Sequence, residues 1–138
     1  MKVLIIGSND KVKHDISLSL RVRYPDAEIH YTDNGKQGVK LTSLASPDLV
    51  MINSLIEDLP ALNIITRIRE FSEAPIIVIE ENNGSFERAK AFELGADEYI
   101  TVPIVPIELL AKIRGLLRQV NWPASTNVFL TRVVRKSC

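Results

Sequence analysis

The stretch Pro47-Asp48-Leu49-Val50-Met51-Ile52-Asn53-Ser54 decides the fold, because its apolar run from Leu49 to Ile52 ends abruptly in the polar residue Asn53. Runs of about four to eight apolar residues between turn residues are typical of strands buried on both faces. In an open parallel sheet, ligands and reactive groups lie just past the carboxyl ends of such strands. The sequence therefore predicts a site at Asn53, although an amide is a weak nucleophile compared with a carboxylate.

The composition of the chain restricts the class of protein before any motif is considered. The 138 residues suffice for one domain with one core, and the 17 basic and 17 acidic residues give no net attraction toward nucleic acid or membranes. The single cysteine, Cys138, excludes an internal disulfide and any cysteine-based metal site. No apolar run reaches the length of a membrane span, so we expect a soluble, cytoplasmic protein.

Strand and helix patterns alternate five times along the sequence. Besides the strand at Leu49, apolar runs predict strands at 3–6, 27–32, 76–79 and 98–102. Apolar residues at helical spacing predict five amphipathic helices, whose core-facing residues are Val12, Ile16 and Leu20; Val39, Leu41 and Leu44; Leu62, Ile65 and Ile68; Phe86, Ala89 and Leu94; and Ile107, Leu110, Ile113 and Leu117. Such alternation predicts an α/β fold with a parallel sheet covered by helices on both faces.

Three strings resemble the receiver domain of bacterial two-component response regulators: PDLVMIN at 47–53, GADEYITVP at 95–103 and ELLAKIRGLLRQ at 108–119. The resemblance covers about residues 2–119, and the last string is similar to the final receiver helix of the OmpR/PhoB-type transcription factors. It implies a flavodoxin-like, doubly wound (βα)5 fold with five parallel strands in the order 2-1-3-4-5. The receiver domain would span 1–120, and 121–138 would be a linker or tail leading toward a DNA-binding effector domain outside this chain.

The positions that perform chemistry in that family carry other residues here. The family has two acidic residues after the first strand, a phosphate-accepting aspartate after the third, a Ser or Thr after the fourth, and a Lys before the proline that follows the fifth. In the same order, the residues of this chain are Gly7 and Ser8, Asn53, Glu80, and Val102. Mg²⁺ prefers carboxylate oxygens, and phosphoryl transfer needs a nucleophile and stabilising cations. The resemblance therefore implies a degenerate pocket that cannot be phosphorylated at Asn53.

Two interpretations of Asn53 remain open from the sequence. Its amide is either a structural group that hydrogen-bonds nearby loop backbone, as buried amides must be paired, or an imitation of one fixed state of the family's switch. Glu80, Glu81 and Asp10 carry carboxylates that would suit a divalent cation if the fold brought them together. Asp10 also fits the first turn of its own helix, where a carboxylate is favoured. We predict no metal, no cofactor and no enzymatic activity.

The output face of the family, formed by the fourth helix, the fifth strand and the fifth helix, is retained in the sequence. In OmpR/PhoB-type proteins, ion pairs hold two copies together through this face. The matching positions here carry opposite charges in each pair: Arg88 with Glu108, Asp97 with Arg118, and Glu98 with Lys112. An ordinary solvated charged surface is the alternative interpretation.

Two further positions on this face match the family. Tyr99 corresponds to the switch aromatic, which moves inward on activation in the family and which we expect to be fixed here. The resemblance also implies a cis peptide bond between Val102 and Pro103, although cis bonds are found at only about 5–6% of X–Pro bonds in general.

Three functional hypotheses follow from the sequence. The leading one is a phosphorylation-independent receiver domain that acts in signal transduction and transcription regulation as a homodimerisation module, with a sensor kinase and, through an effector domain, DNA as further partners. The second is a stand-alone adaptor that docks a kinase or another receiver. The third is a small-ligand-binding domain or enzyme that uses the crevice near Glu80 and Asn53, for which no nucleophile–base pair is visible.

Overall fold

The computed structural model describes residues 1–7, 9–81 and 86–120, in which five strands alternate with five helices. The strands are β1 (Lys2–Ile6), β2 (Glu28–Thr32), β3 (Leu49–Asn53), β4 (Ile76–Glu80) and β5 (Glu98–Thr101). The helices are α1 (Asp10–Arg23), α2 (Gly35–Ala45), α3 (Ala61–Arg69), α4 (Arg88–Leu94) and α5 (Pro106–Val120). Ser8 and the predicted tail at 121–138 lie outside the described residues.

The strands form one parallel sheet in the order β2-β1-β3-β4-β5, which confirms the predicted fold and strand order. The order reverses between β1 and β3, and this switch point is where parallel sheets usually bind ligands. Ile6 pairs with Ile52, and Asn53 pairs with Ile79, so the carboxyl ends of β1, β3 and β4 lie side by side. Asn53 is consequently at the centre of this edge of the sheet.

Two apolar clusters cover the two faces of the sheet. Side chains from α1 and α5 pack on one face with alternate residues of the strands, such as Val3 and Ile5. Side chains from α2, α3 and α4 pack on the other face, where Leu4 and Ile6 point. All residues of β3 and β4 are buried, as expected for central strands covered by helices on both sides.

The predicted helix faces agree with the structure for α1 and need correction for α5. Val12, Ile16 and Leu20 of α1 are all buried. In α5 the residues at the core are Leu109, Ile113 and Leu116, whereas Ile107 is 82% exposed. Ile113 and Leu117 lie at the core as predicted, whereas Ile107 does not, so the core-facing side of α5 is rotated from the predicted one.

The predicted faces of α2 and α4 are correct in part, because Val39, Leu41, Phe86 and Leu94 pack against the core. Leu44 of α2 is 71% exposed, and the buried positions are the small residues Gly35, Gly38 and Thr42. The reason is the close approach of α2 to β1, since a Cβ at Gly38 would lie 2.5 Å from Ile6 Cδ1.

In α4 the helix starts later than the apolar pattern suggested. Phe86 precedes the first helical residue, Arg88, and Ala89 is exposed while Ala91 is buried. Among the described residues, no helix is long and apolar enough to cross a membrane.

Candidate functional site

Gly7, directly after β1, packs closely against Asn53. Its φ of +151° lies in a region that favours glycine, and its N–H donates to the Thr32 carbonyl oxygen at 2.9 Å. A Cβ at this position would lie 2.3 Å from Asn53 Cβ. An acidic side chain, which the resemblance places here as a metal ligand, therefore does not fit on this backbone. The second acidic position, Ser8, lies outside the described residues.

Asn53, the last residue of β3, is 3% exposed and has hydrogen-bond partners on both sides of its amide. Its Oδ1 accepts from the Leu55 N–H at 2.8 Å, and its Nδ2 donates to Glu81 Oε2. Because the backbone N–H can only donate and the carboxylate accepts, these partners fix the orientation of the amide. The bond from the Leu55 N–H fits the first interpretation of Asn53, in which its amide is a structural group that hydrogen-bonds nearby loop backbone.

The Glu81 carboxylate lies between two side-chain amides. Besides the bond from Asn53 to Oε2, Asn9 Nδ2 donates to Oε1 at 2.5 Å. Asn9 is the N-cap of α1, and its own Oδ1 accepts from the Val12 N–H at 3.1 Å. The Glu81 N–H donates to Ser54 Oγ at 3.3 Å. One carboxylate thus joins the end of β3, the end of β4 and the start of α1.

Glu80 contacts a different partner from its neighbour Glu81. It is 2% exposed, and its Oε2 accepts a hydrogen bond from the Tyr99 hydroxyl. Its Oε1 is buried and has no hydrogen-bond partner within the described part of the chain. Burial raises the pKa of the Tyr99 hydroxyl, the bond to Glu80 adds to this, and Arg88 opposes it. The side chain at the switch position is therefore inside the fold, being 8% exposed.

The Tyr99 ring and backbone connect α4 and α5 to this pair. Arg88 Cζ, at the start of α4, lies 3.9 Å from the ring centroid, which is the geometry of a cation–π contact. The Phe86 ring stacks on Tyr99 with centroids 6.1 Å apart. From α5, Lys112 Nζ donates to the Tyr99 carbonyl oxygen at 2.6 Å. The position of Tyr99 is thus held by contacts from both helices of the output face.

Val102 lies where the resemblance implies a lysine. Its half-buried side chain packs against the cluster that α1 and α5 form with the sheet, and its N–H donates to the Glu80 carbonyl oxygen at 3.1 Å. The peptide bond between Val102 and Pro103 is cis, as the resemblance implied. An uncharged side chain here provides no cation that would balance a phosphoryl group.

The carboxylates that were considered as cation ligands are not brought together. The Asp10 side chain is 99% exposed and lies 4.0 Å from Lys13 Nζ. Glu80 contacts Tyr99, and Glu81 contacts the two amides. In the ranges 1–7, 9–81 and 86–120, no group of three or more His, Cys, Asp or Glu is arranged to hold a metal ion. The idea of a cation site at Glu80, Glu81 and Asp10 is therefore wrong.

Asp97 forms an ion pair and a backbone hydrogen bond within the chain. Its Oδ2 accepts from Arg69 Nη2 and from the Ile76 N–H, both at 2.9 Å. Arg69 also donates at 2.7 to 3.1 Å to the carbonyl oxygens of Ser72, Ala74 and Gly95. Burial lowers the pKa of Arg69, and Asp97 opposes this shift. The ion pair predicted between Asp97 and Arg118 of a second copy would compete with this internal pairing.

Four other charges of the output face, Arg88, Glu98, Glu108 and Lys112, also have partners within one chain. Lys112 Nζ lies 3.5 Å from Glu98 Oε1 and 3.4 Å from Glu108 Oε1. Arg88 lies over the Tyr99 ring, as described above. These groups lie on α4, β5 and α5. Their pairing across a dimer stays a prediction, because the structure contains one chain.

Sequence reasoning missed two residues that form these hydrogen bonds, Asn9 and Arg69, and the role of a third, Glu81. Asn9 was not predicted as a residue of this site, because its contact with Glu81 spans 72 residues. Arg69 gave no signal, since its partner Asp97 lies 28 residues further along the chain. Glu81 was considered as a cation ligand, and no local pattern indicated that it would bind amides.

Comparison with known proteins identifies relatives over most of the chain. Residues 3–114 match the family described as the response regulator receiver domain. The transcriptional regulatory protein SrrA of Staphylococcus aureus (strain NCTC 8325 / PS 47) is 25% identical over 118 residues, which are 86% of this chain and 48% of SrrA. The chain thus spans about half the length of the curated relatives it matches.

Solved structures of receiver domains share the fold. The BeF3-activated N-terminal receiver domain of Klebsiella pneumoniae RstA superposes with a TM-score of 0.77 and 21% identity, covering 86% of this chain and 99% of that chain. A two-component response regulator from Clostridium difficile gives a TM-score of 0.79 at 21% identity, with 88% and 98% covered. At such identities the similarity establishes a common fold and nothing finer.

Proposed function

Because this chain belongs to the response regulator receiver domain family and is a receiver domain of two-component type, we propose that it regulates its output without being phosphorylated. The observation that carries the proposal is the state of Asn53. Its amide is buried, and both of its polar atoms are already hydrogen-bonded, to the Leu55 N–H and to Glu81. A buried amide side chain, which has no carboxylate, is not a phosphoryl acceptor.

The surroundings of Asn53 support the same conclusion. Gly7 leaves no room for a metal-binding carboxylate, and Val102 provides no cation. The Glu81 carboxylate lies against Asn53, so an incoming phosphoryl group would meet a negative charge. Phosphoryl transfer depends on positioned cations, and none of these groups supplies one.

The output face supports a fixed state of the switch. Tyr99 is directed inward and is bonded to Glu80, which stands where the family has a Ser or Thr. Arg88 and Lys112 then attach α4 and α5 to Tyr99. We propose that this arrangement presents one constant surface on α4, β5 and α5 to a partner, and that the domain resembles the OmpR/PhoB type in using that surface.

The partner of this surface is, in the proposal, a second copy of the chain. Exposed apolar side chains on or beside these elements, Phe92, Val105 and Ile107, would be covered in a dimer. The charges at Arg88, Asp97, Glu98, Glu108, Lys112 and Arg118 would then set register more than strength, since exposed ion pairs contribute only about 0–1 kcal/mol each. In the cytoplasm, such a dimer would fix the geometry of a DNA-binding effector domain and would contribute to transcription regulation, with a sensor kinase as a further docking partner.

Intact-mass measurement after incubation with acetyl phosphate and Mg²⁺ tests the phosphorylation claim. We expect no phosphoryl adduct on the chain, while a receiver domain with an aspartate at the acceptor position serves as the positive control. An adduct that is lost in Asn53→Ala would contradict the proposal.

Sedimentation velocity at micromolar concentration tests the dimer. We expect a dimer that Ile107→Lys shifts toward monomer, because this side chain is 82% exposed on α5. The matched control is Leu44→Lys, which charges a 71% exposed leucine on α2, outside the proposed surface. A wild-type chain that remains a monomer, or equal effects of the two variants, would remove the dimer from the proposal.

A further inference from the structure

The site at the end of β3 contains an anion of its own. The side-chain tip of Asn53, where the family's phosphoryl group would be attached, is in hydrogen-bond contact with the Glu81 carboxylate. The second oxygen of that carboxylate is bound by Asn9 Nδ2 at 2.5 Å. Both oxygens of Glu81 therefore accept hydrogen bonds from residues that precede α1 or end β3.

Both amides are oriented to receive an anion. The Asn53 oxygen is occupied by the Leu55 N–H at 2.8 Å, and the Asn9 oxygen by the Val12 N–H at 3.1 Å. Since each amide oxygen is committed to a backbone donor, each NH₂ group must face the other way, toward Glu81. Asn9 is also the N-cap of α1, a 14-residue helix whose amino end favours negative charge. The pocket thus has donors fixed in place for an anion, and the chain supplies the anion itself.

We propose that the Glu81 carboxylate takes the place of the phosphoryl group and holds the receiver in one state. This inference rests on the proposed function and names the group responsible for it. Glu81 fixes the carboxyl end of β4, and the preceding residue, Glu80, accepts the hydrogen bond from Tyr99. The same short segment of backbone therefore connects the internal anion to the switch aromatic and to Arg88 over its ring.

Side-chain and amide NMR of the full chain tests this inference, with Glu81→Ala and Glu81→Asp as variants. Glu81→Asp keeps the charge but shortens the side chain by one methylene. Glu57→Ala is the matched control, because Glu57 is an exposed glutamate in the loop after β3. In both Glu81 variants we expect the Asn9 and Asn53 side-chain NH₂ signals to shift and to exchange with water faster by about tenfold or more, the factor for losing a hydrogen bond to a charged group.

The signals of Tyr99 and Arg88 decide whether Glu81 acts on the output face. We expect them to move in both Glu81 variants and to stay unchanged in Glu57→Ala. We also expect inorganic phosphate to return the Asn9 and Asn53 signals of Glu81→Ala toward their wild-type positions, with no effect on the wild-type chain.

Two results would overturn the inference. Unchanged Asn9 and Asn53 signals in Glu81→Ala would mean that the contacts do not form in solution. Shifted amide signals with unchanged Tyr99 and Arg88 signals would mean that Glu81 only fills the pocket. Neither result affects the acetyl phosphate experiment, so a chain that takes up no phosphoryl group but fails here keeps the proposed function and loses this mechanism.

Discussion

At the scale of single residues, the pocket at the end of β3 is characterised by how its polar atoms are paired. Asn53, Asn9 and Glu81 satisfy one another's hydrogen bonds. Glu80 has one oxygen bonded to Tyr99 and one buried oxygen with no partner within the described ranges. Hydrogen-bonded amides contribute to stability, whereas a buried carboxylate with one bonded oxygen depends strongly on that one partner.

Gly7→Ala tests how tightly the pocket is packed. The new Cβ would lie 2.3 Å from Asn53 Cβ, at a φ of +151° that side chains rarely adopt, so we expect a loss of about 2–4 kcal/mol in the free energy of unfolding. The control is Gly115→Ala in α5, where nothing lies within 4 Å of the new Cβ and a gain of about 0.5–1 kcal/mol is expected. Urea unfolding measures both, and equal stability of Gly7→Ala and wild type would show that position 7 tolerates a side chain.

Tyr99→Phe tests the bond to Glu80. Without the hydroxyl, neither oxygen of Glu80 keeps a described partner, and we expect a loss of about 1–3 kcal/mol in urea unfolding at pH 7. The control is Tyr31→Phe, which removes the hydroxyl of a tyrosine that is 43% exposed. If Tyr99→Phe and Tyr31→Phe lose the same free energy of unfolding, the hydrogen bond to Glu80 contributes no more stability than the Tyr31 hydroxyl does.

The pKa of Tyr99 adds a dependence on pH. Because this pKa is raised in the folded chain, folding favours the protonated hydroxyl, and the resulting stability is complete below the ordinary tyrosine pKa of about 10. It is lost as the pH rises from there through the raised pKa. We therefore expect the wild-type chain to lose more stability than Tyr99→Phe above about pH 10, and parallel curves would contradict the assignment.

At the scale of elements, a staple at Arg69 connects α3 to the turns before β4 and β5. Its guanidinium binds three carbonyl oxygens and the Asp97 carboxylate, which in turn accepts from the first N–H of β4. The turn at Gly95 is part of this staple, and its φ of +126° favours glycine. Asp97, predicted as a dimer contact, therefore has a structural role within the chain.

Arg69→Met tests how much the contacts of Arg69 contribute to the free energy of unfolding. We expect the free energy of unfolding to fall by about 2–3 kcal/mol, less than for a fully buried ion pair, because the side chains of Arg69 and Asp97 are 20% and 24% exposed. Arg67→Met, on the exposed side of the same helix, should change it by no more than about 0.5 kcal/mol. Equal effects of Arg69→Met and Arg67→Met in urea unfolding would show that the contacts of Arg69 do not stabilise the fold.

The sequence predicted the order and type of the elements because each central strand is an uninterrupted apolar run and each helix has apolar residues at helical spacing. It did not predict the rotation of α5, since Ile107, Leu110, Ile113 and Leu117 fit the spacing as well as the observed Leu109, Ile113 and Leu116. Only packing against the sheet separates the two sets. The residues at the strand ends, such as Gly7, Asn53 and Glu80, could be read from the sequence. The contacts of Glu81 could not, because they join residues 28 and 72 positions apart.

At the scale of the whole molecule, the strand order brings the pocket and the output face onto neighbouring strands. Asn53 ends β3, Glu80 ends the adjacent β4, and Tyr99 lies on β5 next to it. From Tyr99, contacts lead to Arg88 in α4 and to Lys112 in α5, two helices on opposite faces of the sheet. We propose that these contacts hold the output face in place with no phosphoryl group bound.

The most direct test of this claim compares amide NMR spectra of the full chain with and without beryllofluoride and Mg²⁺. Beryllofluoride is an analogue of a phosphoryl group, and the RstA receiver domain above is BeF3-activated. We predict superimposable spectra, because Asn53 offers no carboxylate and Tyr99 is already bonded to Glu80. Saturable shifts centred on Asn53 and extending to Tyr99 and α4 would contradict the account.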